Sequence, residues 1–122
     1  MSLNADQGTV NDILAKIFKI ETGFQGTMIS QFAKLNLDSV TEDVNDKHLQ
    51  PWSELLKNAG VTNSPLTPYL DKELLKDNYM SVDGSKIEKQ GFVYEVPEMT
   101  LPLLEEVIDS FVTLGVWPQN TK

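Results

Sequence analysis

Val82-Asp83-Gly84-Ser85-Lys86-Ile87-Glu88-Lys89-Gln90-Gly91-Phe92-Val93-Tyr94-Glu95-Val96-Pro97 holds an aspartate turn, room for one or two helical turns, a glycine, an aromatic run and a proline. Asp83 or Ser85 can cap the short helix, and Ser85 with Glu88 has capping-box spacing. Gly91 is the residue type at which such a helix stops. Phe92, Tyr94 and Val96 then fall on one side of an extended piece. The stretch joins a helical region before it to one amphipathic helix after it. The fold class expected is mainly α: a compact helical domain over residues 1–122 with one or two short β-strands, at 79–82 and 92–96.

The closing helix begins near Thr100. Leu101, Leu104, Val107, Ile108, Phe111 and Val112 make its apolar face, Glu105, Glu106 and Asp109 lie opposite, and Gly115 and Pro118 stop it. Glu98, Glu105 and Glu106 suit the dipole at its start.

Upstream, Thr9 with Asp12 resembles a capping box. Val10, Ile13, Leu14, Ile17 and Phe18 follow at one-face spacing, with Gly23 expected to end that helix. A second helix is expected from Thr27 through Met28, Ile29, Phe32, Ala33 and Leu35. Leu37, Val40, Val44 and Leu49 give a weaker stripe over 36–50. Pro51 reads as the first turn of a new helix, because its missing N–H would be unpaired there anyway. Trp52, Leu55, Leu56 and Ala59 form that helix's apolar face, and Gly60 its stop. Thr67-Pro68 repeats the cap-then-proline start ahead of Tyr69, Leu70, Leu74 and Leu75, and Asp77-Asn78 breaks the run.

The charge balance bounds the partners. Eighteen acids stand against ten bases, the net charge is −8, and all ten bases are lysine. Such a chain repels phosphate backbones, so nucleic acid and anionic membrane are not expected partners. The start of the chain is no signal peptide, and no apolar run approaches the ~20 residues that span a bilayer. The absence of cysteine excludes disulfides and thiolate metal sites and fits a cytoplasmic protein.

Candidate chemistry is sparse. His48 is the only histidine, and a surface histidine is the plainer reading than a general base or metal ligand. A further alternative is a small metal- or ligand-binding enzyme based on His48 and the acids near it. Asp38, Glu42, Asp43 and Asp46 lack the central glycine of a calcium loop and read as a solvated acidic face. No nucleophile elbow, Walker loop or Gly-x-Gly-x-x-Gly is present. Met28, Met80 and Met99 read as core fillers. No catalytic, cofactor-binding or metal residue is assigned.

The stretch 82–97 resembles the C-terminal, substrate-side end of extended short-chain dehydrogenases, the NAD-dependent epimerase/dehydratase family. The residues that carry the resemblance are Asp83, Ser85, Lys86, Gly91, Phe92 and Pro97, then the helix from Thr100 ending at Trp117-Pro118. Asn4-Ala5-Asp6-Gln7-Gly8-Thr9 leading into the first helix is similar to that family's late strand and following helix. The family's dinucleotide loop and Tyr-x-x-x-Lys pair have no counterpart, and there is no arginine for a nucleotide diphosphate. Residues 36–78 read as a subgroup-specific helical insertion, and Met1-Ser2-Leu3 as a leader ahead of an excised region. The resemblance implies a non-catalytic substrate-binding lobe without NAD or NADP of its own. Its partner would be the parent's dinucleotide-binding domain, or another copy of itself. The alternative is a free-standing acidic helical protein-interaction module.

Overall fold

The computed structural model describes residues 6–23, 26, 31, 34–76 and 82–122. The fold is mainly α-helical. The described helices are α1 (Gln7–Phe18), α2 (Leu37–Asn58), the four-residue α3 (Ser85–Glu88) and α4 (Leu101–Thr113), with a 3-10 turn at Lys72–Leu75. The chain divides into two compact units. One contains Met1–Thr22, Asn78–Val107 and Lys122; the other contains Gly23–Asp77 and Ile108–Thr121. Of the expected second helix at Thr27 only Gln31, Lys34 and Leu35 are described; they are helical, and Leu35, expected on its apolar face, is exposed. Asp77-Asn78, Met28, Met80 and most of the 79–82 strand lie outside the described residues.

In the first unit, α1 turns its expected face inward, with Ile17 buried and Val10, Ile13, Leu14 and Phe18 half-buried. Its cap is Asp6 rather than Thr9. The Asp6 carboxylate accepts from the Thr9 N–H at 2.7 Å and the Thr9 hydroxyl at 2.9 Å. A carboxylate three residues ahead satisfies both donors at once, so Thr9 becomes the third residue of the helix. Gly23 does not end the helix. The chain leaves it at Lys19, left-handed at φ 56°, and the Ile20 N–H returns to the Ala15 carbonyl at 3.0 Å.

The same closing bond ends every described helix. Val61 N–H reaches Leu56 O after α2, Phe92 N–H reaches Ile87 O after α3, and Val116 N–H reaches Phe111 O after α4. Gly60, Gly91 and Gly115 supply the positive φ at these three ends, as expected. Each bond joins two apolar residues five apart, the pair that such caps commonly bring together.

In the second unit the separate helices expected on either side of Pro51 are one. α2 runs for 22 residues with Pro51 inside it. Proline removes the bond to the Lys47 carbonyl and costs a helix interior about 3 kcal/mol. Breaking the helix there would orphan several N–H and C=O groups, and Gln50 is not a capping residue. The buried or half-buried face is Leu37, Val40, Thr41, Val44, Asn45, Trp52 and Leu56, while Leu49 and Leu55 point out. Thr41 is buried because its hydroxyl donates back to the Leu37 and Asp38 carbonyls.

Residues 64–70 do not make the helix that Thr67-Pro68 suggested. The Thr67 hydroxyl accepts from the Tyr69 N–H, but helical structure begins only at Lys72, where Asp71 accepts from the Glu73 N–H. What wins is a set of bonds to side chains elsewhere. Asn45 binds both backbone groups of Leu70, and the Trp52 indole N–H donates to the Leu66 carbonyl at 3.1 Å. The Ser64 hydroxyl donates to the Val116 carbonyl at 2.6 Å. Trp52 and Trp117 meet with ring centroids 5.1 Å apart, and Pro118 beside them is fully buried. Among the described residues no strand forms, and 92–96 runs without a pairing partner.

Candidate functional site

The turn and helix over 82–97 lie within the first unit. Asp83 is the anchor. One carboxylate oxygen accepts from the Ser85 N–H and the other from the Ser85 hydroxyl, both at 2.9 Å. Ser85 is therefore the first residue of α3, one place inside the N-cap Gly84, and donates to Asp83. The Ser85 backbone bond, then the hydroxyl bond, hold the exposed Asp83 carboxyl below the ordinary carboxylate range.

Gly91, at φ 91°, reverses the chain after α3 and donates its N–H to the Glu88 carbonyl at 2.9 Å. The Phe92 and Tyr94 rings then meet edge to face, centroids 5.1 Å apart. Tyr94 folds back over the turn, so that a Cβ at Gly84 would lie 2.7 Å from its hydroxyl. This pair packs on itself and on its own turn. Phe92 remains 48% exposed. Lys86 and Pro97 are exposed.

The stretch presents apolar groups to solvent. Val82, Ile87, Phe92, Val93 and Val96 are exposed, and Met99, expected in the core, joins them. The closing bonds of α3, Gln90 N–H to Ile87 O, Gly91 N–H to Glu88 O and Phe92 N–H to Ile87 O, are local and leave the Ile87 and Phe92 side chains outward.

Elsewhere in the first unit an open depression is lined by Asp12, Ala15, Lys16, Ile20, Glu21 and Thr22. It follows from the closure of α1 at Lys19, which sequence reading placed too late to find. His48 is exposed on α2, as are Asp38, Glu42, Asp43 and Asp46. Asp38 pairs with Lys72 at 2.9 Å, and that bond holds the exposed lysine's pKa above its usual value. Among the described residues no three histidine, cysteine or carboxylate groups are placed to hold a metal, and no helix is long and apolar enough to cross a membrane.

No family model, curated protein or solved structure matches the chain.

Proposed function

We propose that the chain is a non-catalytic docking lobe that binds another protein surface through the 82–99 face. The observation that carries this reading is six large apolar residues exposed within that short span, Val82, Ile87, Phe92, Val93, Val96 and Met99. Exposed apolar groups concentrated in one place mark interaction surfaces. The Asp83 turn and the Gly91 reversal fix the backbone that carries Ile87 and Phe92, which lowers the ordering cost of binding. The resemblance to the closing region of NAD-dependent epimerase/dehydratase proteins names the partner: the dinucleotide-binding domain of such a parent. NAD or NADP then belongs to that domain and not to this chain.

An isolated lobe of this kind associates with itself when no partner is present. Sedimentation of the purified chain is expected to show concentration-dependent association, returned toward monomer by Phe92→Ser with Val93→Ser. A monomer at every concentration sinks the docking reading. Calorimetry with NAD is expected to show no micromolar binding, and a micromolar site overturns the assignment of the dinucleotide to the partner.

A further inference from the structure

We infer that the α2 face carrying Asn45 and Trp52 is a reader of extended, proline-containing peptide, occupied in this structure by the chain's own residues 64–70. The surface lies in the second unit and is independent of the 82–99 face.

The occupant is bound as a peptide ligand would be. Asn45 is 7% exposed, and both its polar atoms go to the backbone of Leu70. The N–H and C=O of one residue point the same way only in extended backbone, so this contact selects conformation rather than side chain. Seven positions along α2, the Trp52 indole takes the Leu66 carbonyl. Seven helical residues rise about 10 Å, and four residues of extended backbone with the polyproline rise span about 12 Å. Asn45 and Trp52 therefore measure one segment, running antiparallel to α2. Burial along it alternates: Ser64, Leu66, Pro68 and Leu70 are half-buried, while Pro65, Thr67 and Tyr69 are exposed. The pattern read is Leu-x-Pro-x-Leu. Proline suits the middle, because it has no N–H to leave unpaired and is already close to the bound shape.

Backbone recognition at two points with apolar residues between them is the logic by which domains capture extended peptides. Such a face accepts any segment of that pattern that can displace the one present. The internal segment competes at the high effective concentration of a tether and holds the face closed.

Two measurements on the whole chain decide it. The first is hydrogen exchange of the Leu70 N–H. If the segment opens as a unit, exchange is at least tenfold faster than at the slowest amides of α2; equal rates mean that it opens only with unfolding and overturn the proposal. The second uses a synthetic peptide of residues 62–72 and reads tryptophan emission. A chain with Leu66→Ser and Leu70→Ser, checked as helical by circular dichroism, is expected to bind it saturably and at least tenfold more tightly than the unmodified chain does. Asn45→Ala in the same background is expected to weaken that binding at least tenfold. A scrambled peptide binding equally well, or no binding by the folded variant, overturns the assignment. If the double variant does not fold, the exchange rates decide alone.

Discussion

Asn45 and Leu70, 25 positions apart, are joined by two hydrogen bonds: Nδ2 donates to the Leu70 carbonyl at 3.0 Å, and Oδ1 accepts from the Leu70 N–H at 2.7 Å. The amide orientation is dictated by the partners, since each backbone group accepts only one kind of neighbour. Asn45→Ala leaves both Leu70 groups without these partners. The expected loss is about 2 kcal/mol, less than for two fully buried orphans because water reaches Leu70. Asn45→Asp keeps the acceptor and loses the donor, so its carboxylate faces a carbonyl. Burial and that carbonyl raise its pKa in the folded state. A raised folded pKa gives stability that is present below the unfolded value and lost as pH rises through the folded one. The aspartate variant should therefore approach the parent in acid and fall behind it at neutral pH. Urea melts across pH test this; a constant gap between the two chains contradicts the geometry.

Pro51 withholds one bond from α2 and is exposed, so little packing is lost when it is replaced. Pro51→Ala is expected to stabilise the chain by about 1 to 3 kcal/mol. An unchanged or lower denaturation midpoint would show that the ring is needed where it is.

Lys19 occupies a left-handed position without being glycine, at φ 56° and ψ 43°. Lys19→Gly removes a steric cost of about 1 kcal/mol and should raise the melting temperature by a few degrees. Gly91, at φ 91° with nothing near the site of a Cβ, is the converse. Gly91→Val is expected to cost about 1 to 3 kcal/mol through backbone strain alone. A melt unmoved by Gly91→Val contradicts the left-handed turn.

The helix ends show what could be read from sequence. Leu56 to Val61, Ile87 to Phe92 and Phe111 to Val116 share one pattern, an apolar residue, three others, glycine, and an apolar residue. Local physics decides such ends, so Gly60, Gly91 and Gly115 were legible. Ala15 to Ile20 has the same pattern with Lys19 in place of glycine, and it passes unnoticed if only glycines are searched. The path of 64–70 was not legible, because Thr67-Pro68 is a sound local helix start. It is overridden by Asn45, a polar residue within an apolar stripe whose partner lies far along the chain. A buried asparagine beside Thr41 was a signal that something had to satisfy it. The Asp83 turn was legible as a turn. The outward aspect of Phe92 and Val93 depends on what packs nearby, which spacing does not encode.

Acid should loosen the Asp6 cap of α1 and the Asp83 turn together. Asp6 is held low first by the Thr9 backbone N–H and then by its hydroxyl, and Asp83 likewise by Ser85. Both folded pKa values lie below the ordinary 3.8, so their contribution is complete above that pH and lost as the pH falls through the lower folded values. Helicity followed by circular dichroism should therefore decline at the acid end, and Asp6→Asn with Asp83→Asn should flatten that decline. An acid transition of unchanged shape in the double variant assigns it to other carboxylates.

Gly84 and Tyr94 make the sharpest test of the 82–97 turn. Gly84 has φ −80° and ψ −4°, a conformation that alanine adopts freely, so no backbone strain accompanies a Cβ there. The obstacle is the Tyr94 hydroxyl, 2.7 Å from the Cβ position, whereas the ring carbon bearing it stands at 3.7 Å, an ordinary contact. Gly84→Ala alone must displace the ring and is expected to cost about 1 kcal/mol or more. In a Tyr94→Phe background the same substitution meets no clash. It should then stabilise by about 0.4 to 1 kcal/mol, because alanine restricts the unfolded chain. The prediction is a reversal of sign across the double-mutant cycle, with the coupling located in one oxygen atom. If Gly84→Ala has the same effect in both backgrounds, Tyr94 does not lie over the turn, and the backbone that presents Phe92 and Val93 is arranged differently.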